Sequence, residues 1–136
     1  MQRQMLKSKI HRATVTDRDV DYVGSITLDP ELMRQADMLP NEQVHVWDVA
    51  NGSRFVTYAI PGEEGSGDVQ VNGAAALLVE HGDKVIVASF AAYEAAEAAS
   101  HAPIVVHVDE ENRPIEVGSD PSILLSEVSP NQEALI

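Results

Sequence analysis

Gly24 and Ser25 form the bond in this chain that could most readily undergo chemistry of its own. A serine hydroxyl can attack the carbonyl of the residue before it, which converts the amide into an ester by an N-to-O acyl shift. A preceding glycine helps, because its backbone bends easily and no Cβ blocks the attack. If the ester breaks by elimination, Ser25 becomes an N-terminal carbonyl group. Gly-Ser is also common in ordinary turns, so the surroundings decide its meaning.

Arg54 is a second candidate, because it stands directly before a strongly apolar strand segment that also contains Thr57 and Tyr58. A partly buried arginine needs an anion, and its planar fork suits a carboxylate. An internal salt bridge to one of the 22 acidic residues is an equally good explanation. Strand alternation puts Tyr58 on the face of Arg54 and Thr57 on the other face. Thr57 joins the same site only if the strand bulges or ends there, or if the site lies between subunits. Plain strand packing also accounts for Tyr58.

The segment Asn72–Ala76 is the third candidate, with the sequence Asn-Gly-Ala-Ala-Ala. Asn72 is predicted to cap a brief helix that runs through Val79. The small residues after it leave the backbone N–H groups unshielded, which is the arrangement of an anion or oxyanion site. An ordinary helix cap has the same pattern.

Composition narrows the classes of function. The net charge of −13 argues against nucleic acid and against an anionic membrane surface as partners. The chain has no cysteine, which excludes disulfides and thiolate nucleophiles, and its five histidines show no metal-ligand spacing. No apolar run is long enough to span a membrane, and no signal-peptide core is present, so we expect a cytoplasmic protein. Five of the nine basic residues fall in the first 18 positions, where they could attract an acidic small molecule.

Hydrophobic alternation and turn residues predict many short strands and few helices. Asn51-Gly52 indicates a hairpin between two of the strands, and Asp29 and Pro40 bound one helix. We predict a mainly β fold, a small β-barrel with short helical inserts, and a flexible acidic tail over 118–136. The predicted strands are 4–15, 25–28, 44–49, 54–60, 69–71, 84–89, 103–108 and 114–117; the helices are 29–39, 74–79 and 91–100; 16–24 and 61–68 are connections.

The order and spacing of several segments resemble one family, the pyruvoyl-dependent aspartate 1-decarboxylases. The resemblance covers about residues 1–117 and is specific as a set. It implies a single double-psi β-barrel domain, a homotetramer with active sites between subunits, and formation of β-alanine from L-aspartate for pantothenate biosynthesis. The matching segments are Met5–Arg12, Tyr22–Ser25, Asn51-Gly52, Arg54–Ile60, Gly65-Ser66 and Val71–Ala76.

The resemblance also implies residue roles. The chain would cleave itself between Gly24 and Ser25, and Ser25 would become a pyruvoyl group, with no metal and no pyridoxal phosphate. That group would form a Schiff base with the substrate amine and act as the electron sink. Thr57 and Asn72 would assist cleavage, and Tyr58 would donate a proton. Substrate contacts are implied for Lys9, Arg54, Thr57, Gly73, Ala74 and Ala75, and pocket-lining positions for His11, Tyr22, Asn72 and Trp47.

Two positions depart from the family pattern: Asp21 stands where histidine is frequent, and Leu77 stands where the run of alanines often ends in histidine. An accessory maturation factor is a further candidate partner. Two other functions compete with this interpretation. One is a non-catalytic acidic β-barrel, a binding or assembly module, in which Gly24-Ser25 is only a turn. The other is a hydrolase that uses Ser25 as an N-terminal nucleophile and keeps its free amine.

Overall fold

The computed structural model describes residues 1–122; most of the predicted tail, residues 123–136, lies outside the described residues. The described part is mainly β, as predicted. Its strands, in chain order, are β1 (Gln2–Thr14), β2 (Asp17–Asp19), β3 (Ser25–Leu28), β4 (Gln43–Asp48), β5 (Arg54–Pro61), β6 (Val69–Asn72), β7 (Lys84–Glu94), β8 (Ile104–Val108) and β9 (Pro114–Gly118). Its helices are α1 (Pro30–Gln35), a 3₁₀ helix (Gly73–Leu78) and α2 (Ala95–Ala98).

The strands pair in the order β2-β6-β3-β5-β4-β7-β1-β8-β9. Neighbours are parallel in the pairs β1/β8, β2/β6 and β3/β5, whereas the other pairs are antiparallel. This mixture, with many strands that are not consecutive in sequence, agrees with a double-psi β-barrel carrying short helical inserts.

Alternation along β3 and β6 decides which side chains face the core. Ile26 and Leu28 of β3 are fully buried, and so are Val69 and Val71 of β6. Because successive side chains of a strand point to opposite faces, the residues between them lie on the other face of the ladder. Those intervening residues are polar: Ser25, Thr27, Gln70 and Asn72. The same pattern that builds the core therefore collects a polar group beside the Gly24–Ser25 bond.

The first strand contains two irregularities in its pairing with β7. The register shifts between Leu6 and Ser8 and again between Ile10 and Ala13. At the second shift Arg12 adopts a φ of 60°, which is rare for a residue with a side chain. The extra residue changes the alternation, so that Ile10 and Ala13 are both buried and His11 is buried as well.

Several predicted boundaries are wrong. The first part of the predicted helix 91–100 is strand, because β7 continues to Glu94 by pairing with the start of β1, and only α2 is helical. The predicted connection 16–24 contains β2, which pairs with β6. The cap at Asp29 is confirmed, since its side chain accepts from the Glu31 N–H, but the helix ends at Gln35.

Candidate active site

Ser25 begins β3 and is almost completely buried, with 1% of its surface exposed. Its Oγ donates a hydrogen bond to the Val23 carbonyl oxygen, at 3.2 Å. It also accepts one from Asn72 Nδ2, at 2.9 Å. These two bonds hold the hydroxyl beside the segment that precedes it, which contains the Gly24 carbonyl that it would have to attack.

Asn72 lies directly opposite Ser25 in the antiparallel β3/β6 ladder and is fully buried. The prediction that it caps a helix is wrong, because its side chain makes no capping hydrogen bond and the segment after it is a 3₁₀ helix, Gly73–Leu78. Its Nδ2 instead donates to Ser25 Oγ and, at 3.0 Å, to Thr27 Oγ1. Tertiary pairing thus gives the side chain better partners than the local backbone does.

The close approach that requires glycine is at Gly73. Gly73 has a φ of +75°, and a Cβ there would lie 2.6 Å from Gly24 Cα and 3.3 Å from the Tyr22 carbonyl oxygen. A Cβ built on Gly24 would meet nothing within 4 Å, and its φ is not positive. Packing against other parts of the chain therefore does not require glycine at position 24, and the prediction that a Cβ there would block attack by Ser25 stays a prediction. Packing does require glycine at position 73.

The structure separates Gly24-Ser25 from the other Gly-Ser bonds of the chain. The sequence contains the same dipeptide at 52–53, 65–66 and 118–119. Ser53 is half-buried in a hairpin turn, whereas Ser66 and Ser119 are exposed. Ser25 differs because it is buried in a strand and a side-chain amide binds its hydroxyl.

Thr57 and Tyr58 lie on β5, which runs parallel to β3. The first residues paired between these strands are Ile26 and Ala59, so Ser25 and Tyr58 each come one residue earlier. Pairing of β5 with β4 is regular from Arg54 to Tyr58, with no bulge. Strict alternation therefore holds, and Thr57 and Tyr58 point to opposite faces; both are half-buried.

Arg54 is exposed, not partly buried as predicted, because it is the first residue of β5. Its guanidinium carbon lies 5.1 Å from the ring centroid of Trp47, its partner on β4. Phe90 also lies beside this tryptophan, with ring centroids 6.4 Å apart. Within residues 1–122, no ion pair includes Arg54. The stacking leaves its planar fork available to an anion.

Lys9 and His11 lie on β1, between β7 and β8. Lys9 Nζ donates to the Pro121 carbonyl oxygen at 3.1 Å, and partial burial lowers the pKa of Lys9. The His11 ring packs edge-on against His107, with centroids 5.5 Å apart, and neither of its ring nitrogens has a hydrogen-bond partner among the described residues. Burial, and then the charge of Lys9, lowers the pKa of His11 to about 4.

The remaining predicted site residues lie close to the Gly24–Ser25 bond in sequence or in space. Tyr22 is half exposed, and its carbonyl oxygen faces Gly73. Ala74 is exposed and Ala75 half-buried in the first turn of the 3₁₀ helix. The two departures from the family pattern, Asp21 and Leu77, are both exposed.

The predicted residues do not form one cluster in a single chain. One group surrounds Ser25 on β3 and β6, the Trp47/Arg54 pair lies on β4 and β5, and Lys9 and His11 lie on β1. In the strand order β3-β5-β4-β7-β1, Ser25 and Lys9 are four strands apart, and no hydrogen bond joins the groups within the described part of the chain. A cavity of about 640 Å³ lies elsewhere, lined by Lys7, Glu42, His45 and Phe90 among others, and contains no predicted site residue.

Sequence reasoning missed Gln70 and Thr27. Gln70 Nε2 donates to Asn72 Oδ1 at 2.7 Å, and Thr27 accepts from the same amide. The signal was present in β6, because Gln70 and Asn72 are two residues apart and so share a face. Their pairing with Thr27 and Ser25 of β3 could not be known before the strands were aligned.

The described residues contain neither a cluster suited to a metal ion nor a helix suited to a membrane. Among residues 1–122, no cluster of three or more histidine or acidic side chains could hold a metal ion. No helix in the same range has the length and apolar character needed to cross a membrane.

Comparison with known proteins assigns this chain to a family. A family model described as aspartate decarboxylase matches residues 1–115. A protein named aspartate 1-decarboxylase, from Mycolicibacterium smegmatis, is 56% identical over 122 residues, which cover 90% of each chain. The chain therefore belongs to the aspartate decarboxylase family. The predicted family is confirmed, and with it the prediction of an enzyme rather than a non-catalytic module.

Proposed function

We propose that this chain cleaves itself between Gly24 and Ser25, and that the mature protein converts L-aspartate to β-alanine and CO₂ with a pyruvoyl group made from Ser25. The name of the M. smegmatis relative supports the reaction. The observation that carries the cleavage is the Ser25 hydroxyl, buried and bound between the Val23 carbonyl and the Asn72 amide. β-Alanine would supply pantothenate and thus coenzyme A. We propose the cytoplasm as the location, and 1–117 as the single domain.

Self-cleavage begins with a rearrangement that conserves all atoms. Ser25 Oγ bonds to the Gly24 carbonyl carbon, the Gly24–Ser25 C–N bond breaks, and the freed nitrogen takes up the proton that the hydroxyl loses. Elimination then releases residues 1–24 with a carboxylate end, and hydrolysis of the remaining enamine releases ammonia and leaves a keto group. Asn72 Nδ2 stabilises negative charge on Oγ during the first step, and Thr57 would assist at the neighbouring strand.

The residues around Ser25 fit a small carbonyl-containing group. A buried amide donor faces the side chain, and Gly73, which has no Cβ, packs closely against the Gly24 backbone. The pyruvoyl group would supply the electron sink for the charge that remains when CO₂ departs. Substrate binding and proton transfer would depend on the side chains of the chain itself.

Lys9 and Arg54 would bind the side-chain carboxylate of aspartate, because they are cations in a protein of net charge −13 and the Arg54 fork is held by Trp47. The departing carboxylate should lie in a less polar place, since firm binding there would oppose its loss. Tyr58 would protonate the carbon from which CO₂ has left. Ala74 and Ala75 would offer backbone contacts, together with Gly73; His11 and Tyr22 would line the pocket.

We propose that a homotetramer completes the site. The predicted residues lie on different parts of the sheet of one chain, and large apolar side chains just before the cleavage bond and in the 3₁₀ helix are exposed. Tyr22, Val23 and Leu77 are exposed by 51%, 72% and 71%. Burial of such a surface against a second copy would supply both stability and the missing residues.

Intact-mass spectrometry under denaturing conditions tests the cleavage. We expect two fragments, 1–24 and 25–136, with the larger lighter by one ammonia than a fragment that begins with serine. Ser25→Ala should stay intact and inactive, whereas Ser53→Ala, at another Gly-Ser bond, should cleave normally. A free amine on residue 25 would favour the hydrolase instead. Decarboxylation by the intact Ser25→Ala chain would refute the pyruvoyl mechanism.

Steady-state kinetics of the processed protein tests the substrate assignment. Arg54→Lys keeps the charge but loses the fork, so KM for aspartate should rise at least about tenfold, the equivalent of one charge-assisted hydrogen bond. Arg3→Lys, at an exposed position of β1, is the matched control and should leave KM unchanged. An unchanged KM in Arg54→Lys would remove this residue from the substrate site.

A further inference from the structure

The four polar residues on the outer face of the β3/β6 ladder form one hydrogen-bonded group. Ser25 pairs with Asn72, and Thr27 pairs with Gln70. Gln70 Nε2 donates to Asn72 Oδ1, and Asn72 Nδ2 donates to both hydroxyl oxygens. Asn72 is fully buried, so the direction of its amide is decided inside this group and not by solvent.

Three contacts bear on which way the Asn72 amide points. The Thr27 hydroxyl could bind either end, because a hydroxyl can donate or accept. The Ser25 hydroxyl favours the N–H end, since its one proton goes to the Val23 carbonyl oxygen. Gln70 adds to this preference, because its Nε2 donates to Asn72 Oδ1. The Asn72 oxygen therefore turns toward Gln70, and both N–H groups turn toward β3.

We propose that Gln70 is a positioning residue for self-cleavage, which holds the Asn72 N–H group, and not its oxygen, against Ser25 Oγ. This inference rests on the cleavage proposed above. With an N–H donor at Oγ, the hydroxyl proton is directed to the Val23 carbonyl, and charge that develops on Oγ during attack is stabilised. With the amide reversed, its oxygen would accept the hydroxyl proton and would repel the charge that forms on Oγ.

Two substitutions separate hydrogen bonding from shape. Gln70→Glu keeps the shape but, when ionised, can only accept, so it favours the reversed amide. Gln70→Met has similar length and neither donates nor accepts strongly. The full-length chain is purified freshly, and cleavage is followed by intact mass over time. At pH 8 we expect Gln70→Glu to cleave at least about tenfold more slowly than wild type, and Gln70→Met to be slowed less.

The pH profile distinguishes positioning from a general structural role. A protonated carboxyl can donate to Asn72 Oδ1, so the cleavage rate of Gln70→Glu relative to wild type should recover between pH 8 and pH 5. The relative rate of Gln70→Met should stay flat. Charged groups flank position 70 on two elements. On β2, Asp17 pairs with Gln70, Asp19 pairs with Asn72 and Arg18 lies between them. Asp68 comes two residues before Gln70, and its carboxylate and the Thr27 methyl group both lie close to Gly62. The three aspartates favour the protonated form of the new carboxyl and move the recovery to higher pH.

Controls make each outcome decisive. Gln4→Glu adds the same charge at an exposed position of β1 and should cleave at the wild-type rate at every pH. Thr27→Val removes one acceptor of the Asn72 amide but leaves Gln70 in place, and should slow cleavage less than Gln70→Glu. Thermal melts show whether each variant folds. If Gln70→Glu does not fold, the cleavage rates of Gln70→Met and Thr27→Val are compared with that of wild type instead.

Three outcomes would overturn the inference: Gln70 variants that cleave at the wild-type rate, a Gln70→Glu rate without recovery at low pH, or parallel pH profiles for Gln70→Glu and Gln70→Met. Failure of the wild-type chain to cleave at all would instead contradict the proposed function. The two failures are therefore distinguishable in one experiment.

Discussion

Gly73→Ala tests the close packing beside the Gly24–Ser25 bond. A Cβ at this position meets Gly24 Cα at 2.6 Å and Gly24 N at 2.9 Å, and the φ of +75° is itself unfavourable for alanine. The left-handed conformation costs about 1–2 kcal/mol, and overpacking against backbone costs about 1–3 kcal/mol more. We therefore expect a loss of about 2–5 kcal/mol in the free energy of unfolding.

Gly52→Ala is the matched control, since Gly52 has nearly the same φ, +76°, and no atom within 4 Å of its Cβ position. It should lose only the conformational part, about 1–2 kcal/mol. Both substitutions are made in the Ser25→Ala chain, so that every sample is uncleaved, and are measured at one protein concentration. Urea unfolding gives the free energies; for a chain of this size the extra cost corresponds to a fall in Tm of roughly 3–5 °C per kcal/mol.

The difference in stability loss between Gly73→Ala and Gly52→Ala measures the contact between Gly73 and Gly24. If Gly73→Ala loses no more stability than Gly52→Ala, the Gly73 and Gly24 backbones are not in contact. The account of this segment as a support for the cleavage bond would then be wrong. With Ser25 restored, we also expect Gly73→Ala to slow cleavage, because the displaced segment includes the carbonyl that is attacked.

Three further predictions concern the stability of the uncleaved Ser25→Ala chain. Gly24→Ala should change the free energy of unfolding by less than about 0.5 kcal/mol, because its Cβ would meet nothing; a large loss would contradict the open space found there. Asp29→Asn should cost about 1–3 kcal/mol at pH 7, since the buried carboxylate accepts from three backbone N–H groups. Burial alone would raise the pKa of Asp29, but these hydrogen bonds have the larger opposite effect, so its pKa lies below the ordinary value. The loss of stability in Asp29→Asn should therefore persist above pH 4 and shrink as the pH falls below the ordinary pKa of an aspartate. A loss that stays constant down to pH 2 would show that it does not depend on ionisation of Asp29. His11 has a pKa of about 4 in the folded chain, below its ordinary 6.5, so acidification from pH 6.5 to 4 should remove up to about 3 kcal/mol, and His11→Phe should flatten that part of the profile. If stability falls equally steeply with pH in the parent chain and in His11→Phe, another group is responsible for the acid sensitivity. The charged or titratable groups that face this histidine pair are Lys9, Arg12, His107 and Glu116.

Local patterns in the chain were enough to predict most strands, the hairpin at Asn51-Gly52 and the cap at Asp29, because each depends on residues that are neighbours in sequence. The order and spacing of the six matching segments, taken as a set, were also enough to recognise the family. The burial of Ile26 and Leu28 follows from alternation alone, and so does the placement of Ser25 on the opposite face. These features need no knowledge of which strand lies beside which.

The pairing of distant strands decided the rest. Residues 91–100 are rich in alanine and glutamate and favour a helix, yet 91–94 extend β7 because Gln2–Met5 offer backbone partners. Asn72 has the sequence of a helix cap, yet its amide turns to β3 because Ser25 and Thr27 lie opposite. In both cases a contact between residues far apart in sequence outweighs a local preference worth about 1 kcal/mol. Arg54 was predicted to be partly buried, and its exposure depends on where β5 begins. The alignment of Gln70, Asn72 and Ser25 likewise appears only in three dimensions, because it depends on the pairing of β3 with β6.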